Sequence, residues 1–121
     1  MKQYWPCFGL LALMAFAPGC GPDHQTLCEE REKCLGGNDA DIDACVIVYD
    51  DARDNAYDIG CGEEYDLLVE CAAPLNECNS VGMCSTSDEC NGSRCVGGEC
   101  KSYSYDVDSC KAEANAYSRC N

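Results

Sequence analysis

The sequence predicts a small, disulfide-rich domain that is mainly α-helical, with about four short helices and one small β-hairpin. The 121 residues include 14 cysteines, a share above the ~8–10% that marks disulfide scaffolds. Apolar residues recur at helical spacing in several segments. One further segment, residues 81–102, is rich in Ser, Gly and Asn, and its Gly97-Gly98 pair suits a two-residue hairpin turn.

The first nineteen residues have the pattern of an export signal. Lys2 is their only charged residue, and an apolar run from Phe8 to Ala17 is interrupted only by Gly9. A run of this length is typical of a signal peptide and is too short to span a bilayer. We therefore predict a signal peptide at residues 1–19.

The end of this segment decides between an anchored and a soluble protein. Ala17-Pro18-Gly19-Cys20 resembles the lipobox of bacterial lipoproteins, which implies that Cys20 receives acyl chains such as palmitate and becomes the new N-terminus. Gly21, in place of the aspartate that retains many members of that family at the inner membrane, implies the outer membrane. Lipidation of Cys20 and loss of Cys7 leave twelve cysteines, an even number for six disulfides.

Two alternatives to a bacterial lipid anchor remain open. Cleavage after Ala17 would give a soluble secreted protein, but Pro18 would then be its first residue and one thiol would be left over. A secreted eukaryotic protein is the other alternative, in which Asn91-Gly92-Ser93 would be a glycosylation sequon.

Apolar stripes and capping residues predict four helices in the domain that we assign to residues 26–121, after a tether at 20–25. The first runs from about Thr26, with Thr26 and Glu29 as a capping box, to Leu35 before Gly36-Gly37. The second opens at three aspartates and ends at Gly60, the third runs from about Gly62 to Pro74, and the last is near the C-terminus. The apolar stripe of the second helix is Cys45, Val48, Tyr49, Ala52, Ala56 and Ile59. That of the third is Tyr65, Leu68, Ala72 and Leu75, and that of the fourth is Val107, Cys110, Ala114, Tyr117 and Cys120.

The segment at 81–102 is predicted to be a cysteine-rich hairpin inserted between the third and fourth helices. Its four cysteines, spaced x5, x4 and x4, resemble those of Dickkopf-type N-terminal modules and EB-like modules. That resemblance covers about 20 residues by spacing, implies no activity, and implies the pairs Cys84–Cys95 and Cys90–Cys100.

A second spacing concerns the third and fourth helices. Cys61-x9-Cys71 and Cys110-x9-Cys120 are similar to the twin Cx9C hairpins of the coiled-coil-helix family, although 38 residues separate the two motifs here. The resemblance implies two antiparallel helices joined by Cys61–Cys120 and Cys71–Cys110. We further expect Cys34–Cys45 across the Gly36-Gly37 turn, which leaves Cys28–Cys78 by elimination.

The charge of the exported part narrows the classes of partner. Seven basic and 22 acidic residues in 20–121 give a net charge of −15, spread along the chain. Such a surface repels phosphate backbones and anionic lipid headgroups, so we predict no nucleic-acid binding. Asp39, Asp41 and Asp43 resemble the start of an EF-hand calcium loop, but they also suit the start of a helix, and Ala44 stands where that loop needs glycine.

No catalytic constellation emerges from the sequence. His24 is the only histidine, and we expect it to lie in the tether without a group to orient it. No Cys-x2-Cys pair occurs, which disfavours a zinc site. The prediction is a protein that is not an enzyme and has no cofactor.

These observations favour a lipid-anchored, disulfide-stabilised interaction module of the bacterial envelope that meets a protein partner near the membrane surface. The alternative is a secreted protease inhibitor or effector that acts through the hairpin loop at 84–100. Arg94 would be the natural anchor of such an inhibitor, but an exposed arginine is more simply a solvated charge.

Overall fold

The structure, a computed structural model, describes residues 21–121, and the predicted signal peptide and Cys20 lie outside this range. Its helices are α1 (His24–Leu35), α2 (Asp39–Asp58), α3 (Gly62–Ala72) and α4 (Lys111–Cys120). Its strands are β1 (Glu77–Met83), β2 (Arg94–Val96) and β3 (Glu99–Ser104). Single 3-10 turns lie at Ala73–Leu75, Ser87–Cys90 and Val107–Cys110. The predicted fold class, a small disulfide-rich and mainly α-helical domain, is confirmed.

Helix α1 begins two residues earlier than the sequence predicts. Asp23 is its N-cap: one carboxylate oxygen accepts from the Thr26 backbone N–H at 3.0 Å and the other from the Thr26 hydroxyl at 2.7 Å. The predicted capping box of Thr26 and Glu29 is therefore wrong, because an aspartate one turn earlier already satisfies the free amide. Residues 24 and 25, which we assigned to the tether, are helical.

A short link joins α1 to α2. Gly36 ends α1 in the left-handed conformation at φ 70°, which glycine adopts without strain. Asn38 then caps α2, and its side-chain oxygen accepts from the Ala40 and Asp41 amides while the Asp41 carboxylate accepts from the Asn38 amide. Asp41 is therefore part of a reciprocal capping box at the start of α2.

The three strands form one antiparallel sheet in the order β1-β3-β2. The β2-β3 hairpin turns at Gly97-Gly98, as the sequence predicts. Strand β1 was not predicted, because its side chains are all exposed and show no alternation of apolar and polar residues. It exists because it pairs with β3, from Glu77 opposite Ser104 to Met83 opposite Glu99.

Six disulfides connect these elements, and all twelve described cysteines take part in them. Four predicted pairs are confirmed: Cys61–Cys120, Cys71–Cys110, Cys84–Cys95 and Cys90–Cys100. The other two predicted pairs, Cys34–Cys45 and Cys28–Cys78, are wrong, since the structure contains Cys28–Cys45 and Cys34–Cys78. Six residues of helix turn the chain by about 240°, so Cys28 and Cys34 face different neighbours, α2 and the sheet.

The hydrophobic core is small and lies between α1, α2 and α3. Leu27, Ala56, Tyr65 and Val69 are its buried members, and partly buried tyrosines and alanines surround them. Several residues of the predicted apolar stripes are instead exposed, namely Val48, Ile59, Leu75 and Val107. The periodicity therefore identifies some core residues, such as Ala56 and Tyr65, but it also assigns exposed residues to the core.

Candidate functional site

His24 lies at the centre of the first candidate site, contrary to the prediction that it lies in the tether without a group to orient it. Its side chain is in the first turn of α1 and only 5% exposed. Nδ1 donates to the Asp50 carboxylate at 2.7 Å, and the ring lies 5.3 Å from the Tyr49 ring and 6.2 Å from the Tyr65 ring, between centroids. The sequence expectation is wrong because α2, 26 residues away, supplies the orienting carboxylate.

This His–Asp pair has the orientation of a catalytic dyad but not its surroundings. The other ring nitrogen, Nε2, is buried and has no hydrogen-bond partner among the described residues. The rings of Tyr49 and Tyr65 lie beside the imidazole, and burial raises the pKa of Tyr65 to about 12. A base must reach the group that it deprotonates, and this ring is buried. The hydrogen bond between His24 and Asp50 therefore serves to join α1 to α2.

The start of the described chain packs against α2. A side-chain carbon added to Gly21 would collide with the guanidinium of Arg53, so these two residues are in close contact. Arg53 donates two hydrogen bonds to Asp66 of α3, from Nε at 2.7 Å and from Nη2 at 2.8 Å, and the Tyr57 hydroxyl donates a third at 2.7 Å. Burial opposes ionisation of Asp66, but these hydrogen bonds outweigh it and lower the pKa of its carboxyl.

The outward side of α2 carries two adjacent, exposed apolar side chains. Ile47 and Val48 are 59% and 66% exposed, although β-branched aliphatic side chains are usually buried. Exposed aspartates flank them along the helix, and we name the set the acidic α2 face: Asp43, Ile47, Val48, Asp51, Asp54 and Asp58. The sequence stripe missed this face because it assigned Val48 to the core.

The candidate calcium residues do not form a cluster of convergent ligands. Asp41 is occupied in the capping box, while Asp39 and Asp43 line a shallow surface depression of about 430 Å³ with Gln25, Glu29 and Ile42. Carboxylates in the first turn of a helix are stabilised by its free amides and by the macrodipole. Capping therefore accounts for Asp41, and the other two line the depression.

Arg94 is neither a free anchor nor a simple solvated charge. Its Nη1 lies 2.8 Å from Oε2 of Glu32, a carboxylate on α1 that is only 2% exposed. Arg31 is the other cation near this carboxylate, at 3.7 Å. Gly37 is required beside it, because a side-chain carbon at that position would collide with Glu32. The pair joins the hairpin to α1, which corrects both readings of Arg94 drawn from the sequence.

We expect Arg94→Gln to destabilise the oxidised domain by about 1–3 kcal/mol, because it leaves the buried Glu32 carboxylate without its main hydrogen-bond donor. Arg119→Gln is the matched control, since Arg119 is exposed and donates only to a backbone carbonyl of its own helix. That control should change the stability by less than about 0.5 kcal/mol. Guanidinium unfolding of the two variants measures the difference, and equal midpoints would show that the Glu32 pair contributes nothing.

The loop of the cysteine-rich hairpin is held by its own side chains. The Glu89 carboxylate accepts from the backbone amides of Ser85 at 2.6 Å and Thr86 at 3.4 Å, and these bonds lower its pKa. The Ser87 hydroxyl accepts from the Cys95 amide at 3.1 Å. With two disulfides, these bonds leave the loop little conformational freedom.

The comparisons with known proteins assign no family to this arrangement. No protein-family model matches the chain, and neither a curated protein nor a solved structure matches it. Within residues 21–121, no helix is both long enough and apolar enough to cross a membrane. Six disulfides in about a hundred residues are compatible with an exported or extracellular protein.

Proposed function

We propose that this chain is an exported interaction module, anchored by lipid on Cys20 and without catalytic activity, that binds a protein partner at the membrane surface through the acidic α2 face. The observation that carries the proposal is the exposure of Ile47 and Val48 on a helix that contacts Gly21, the residue after the anchoring cysteine. A contiguous exposed apolar patch commonly marks a binding surface, and Ile47 and Val48 are neighbours on this helix.

The charge of this face defines the chemistry of the partner. Helix α2 contains seven aspartates and one arginine, and that arginine is already paired with Asp66. A segment that presents lysine or arginine around an apolar side chain would be complementary in both charge and hydrophobicity. Such a partner is favoured over the membrane itself, because acidic side chains repel anionic lipid headgroups.

The length of the tether supports a location at the membrane. Since Asp23 caps α1, only three residue intervals separate Cys20 from the folded domain, a span of about 10 Å at ~3.3–3.6 Å each. A domain held so closely meets partners that are themselves in or on the membrane. The disulfide framework fits this role, because a preordered surface loses little conformational entropy when it binds.

The alternative function, inhibition of a protease or receptor through the loop at 84–100, has weaker support. Its rigid loop suits insertion into a cleft. However, Arg94, the cation that such an inhibitor would present, is held by Glu32, and the exposed loop residues Asp88 and Glu89 are acidic. We therefore retain the interaction module as the conclusion.

Site-specific photocrosslinking tests the binding surface. A photoreactive amino acid at Val48 of the anchored protein in intact cells should give a discrete adduct with a membrane-associated protein. Substitution of Asp51 and Asp54 by asparagine should reduce the yield several-fold, because the complementary charge is removed. The same photoreactive residue at Val107, which is also exposed but precedes α4, is the matched control.

Two outcomes would contradict the assignment of this surface. One is an adduct of equal yield from Val107 and Val48. The other is an adduct from Val48 that is unchanged when both aspartates are neutralised, since the partner would then not be selected by charge.

A further inference from the structure

The two disulfides of the hairpin lie unusually close together. The sulfur atoms of Cys84, Cys90 and Cys100 are all within 4.8 Å of one another, although Cys84 is bonded to Cys95 and the other two are bonded to each other. The twelve described cysteines include no second group of three sulfurs that meets this limit. We name Cys84, Cys90 and Cys100 the three-sulfur group.

The two bonds differ in their accessibility. Cys90 and Cys100 are 5% and 4% exposed, so their disulfide, which we call the inner disulfide, is shielded from a reductant in solution. Cys84 and Cys95 are partly exposed, so their disulfide, the outer one, is accessible. Exchange requires a thiolate that can approach a disulfide sulfur, and access limits its rate.

The backbone places Cys84 against the inner disulfide. The Cys84 amide donates to the Gly98 carbonyl at 2.9 Å, so residue 84 is held at the hairpin turn. Cys100 lies two residues after that turn and is directly opposite Cys95 in the β2-β3 register. The pairing of the strands, and not only the two disulfide bonds, therefore holds the three sulfurs close together.

We propose that the three-sulfur group is a thiol–disulfide exchange site, in which Cys84 carries reduction from the accessible outer disulfide to the buried inner one. The proposal concerns the hairpin alone and does not depend on the lipid anchor or on the acidic α2 face.

Each step conserves electrons and sulfur bonds. The thiolate of an external dithiol attacks the Cys95 sulfur, forms a mixed disulfide with it and releases Cys84 as a thiolate. The second thiol of the reductant then displaces Cys95 as a thiol, and the dithiol leaves as a disulfide. The Cys84 thiolate next attacks one sulfur of the inner disulfide, forms a bond to it and releases the other cysteine as a thiolate.

This last step is an isomerisation without net oxidation or reduction. Its product carries a disulfide between Cys84 and either Cys90 or Cys100, and that bond has one accessible sulfur. A second dithiol molecule can therefore reduce a bond that it could not approach before. The hairpin would lose both of its disulfides to a reductant that reaches only its edge.

The experiment compares two variants that both lack the outer disulfide and differ in a single sulfur. Cys95→Ser retains Cys84 as a free thiol, whereas the double variant Cys84→Ser/Cys95→Ser has no third sulfur. Both are purified as oxidised full-length mature protein and exposed to 1 mM dithiothreitol near pH 8, where a thiol of ordinary pKa about 8.5 is partly ionised. Loss of the inner disulfide is followed by acid quenching, alkylation and peptide mass analysis.

The proposal predicts that Cys95→Ser loses the inner disulfide at least about tenfold faster than the double variant. The reason is that a thiolate held beside the bond has an effective concentration above that of a millimolar reductant. Before the reductant is added, part of the free thiol of Cys95→Ser should already map to Cys90 or Cys100. Equal rates of loss in the two variants would overturn the proposal, whatever the distribution of the thiol. Matching far-UV circular dichroism spectra establish that both variants are folded alike.

Discussion

Reduction of all six disulfides is expected to unfold the domain and to change its alkylation pattern from no reactive thiols to twelve. The buried apolar cluster consists of only Leu27, Ala56, Tyr65 and Val69, with partly buried neighbours. Each disulfide stabilises a small domain by about 2–4 kcal/mol, while the total stability of a domain is about 5–15 kcal/mol. Loss of six such bonds therefore exceeds the stability that the core can supply.

The measurement is the mass shift on alkylation before and after reduction, together with the far-UV circular dichroism spectrum. The bonds that close the longest loops, Cys61–Cys120 and Cys34–Cys78, span 59 and 44 residues and should contribute most to stability. A fully reduced chain that keeps its helical spectrum and a cooperative melting transition would show that packing alone maintains the fold.

Elements specified by local residues were predictable from the sequence. Gly36, Gly60 and Pro74 mark helix ends, and Gly97-Gly98 marks the hairpin turn, because these residues act through their own backbone. Strand β1 could not be found in this way. Its only support is the hydrogen-bond ladder with β3, whose position is determined by the whole fold.

The disulfide pairs also divide into those that sequence spacing predicts and those that depend on the whole fold. Pairs within the hairpin and between the two Cx9C motifs follow from spacing that resembles known modules. Cys28 and Cys34 were paired wrongly because the choice between them depends on which side of α1 faces α2, and the apolar residues of α1 do not determine this.

The polar partners in the candidate sites were also beyond a reading of the sequence. Glu32 pairs with Arg94, 62 residues away, and His24 pairs with Asp50, 26 residues away. The exposure of Val48 depends on how few elements cover α2, which is a property of the assembled domain.

Removal of the proposed lipid anchor has the second largest expected effect. If Cys20 is acylated as we propose, Cys20→Ser should remove nearly all of the processed protein, whose signal peptide has been cut off, from the membrane fraction. Acyl chains contribute about 0.8 kcal/mol per buried CH₂, and two or more chains give stable attachment. The variant should either accumulate with an uncut signal or appear in the soluble fraction.

A matched variant controls for a change of cysteine to serine near the N-terminus. Cys7→Ser alters a cysteine that would be removed together with the predicted signal peptide. The localisation of this variant should therefore equal that of the wild type. If Cys20→Ser protein whose signal peptide has been removed remains on the membrane in the same amount as Cys7→Ser, an acyl chain on Cys20 is not what attaches the protein.

The mass of the N-terminal peptide of the mature protein tests the central claim most directly. Protein extracted from the membrane fraction, digested and analysed by mass spectrometry, should give a peptide that begins at Cys20 and carries the mass of its acyl chains. A soluble protein whose N-terminal peptide begins at Pro18, with Cys20 unacylated, would contradict the lipid anchor and the membrane-surface function that depends on it.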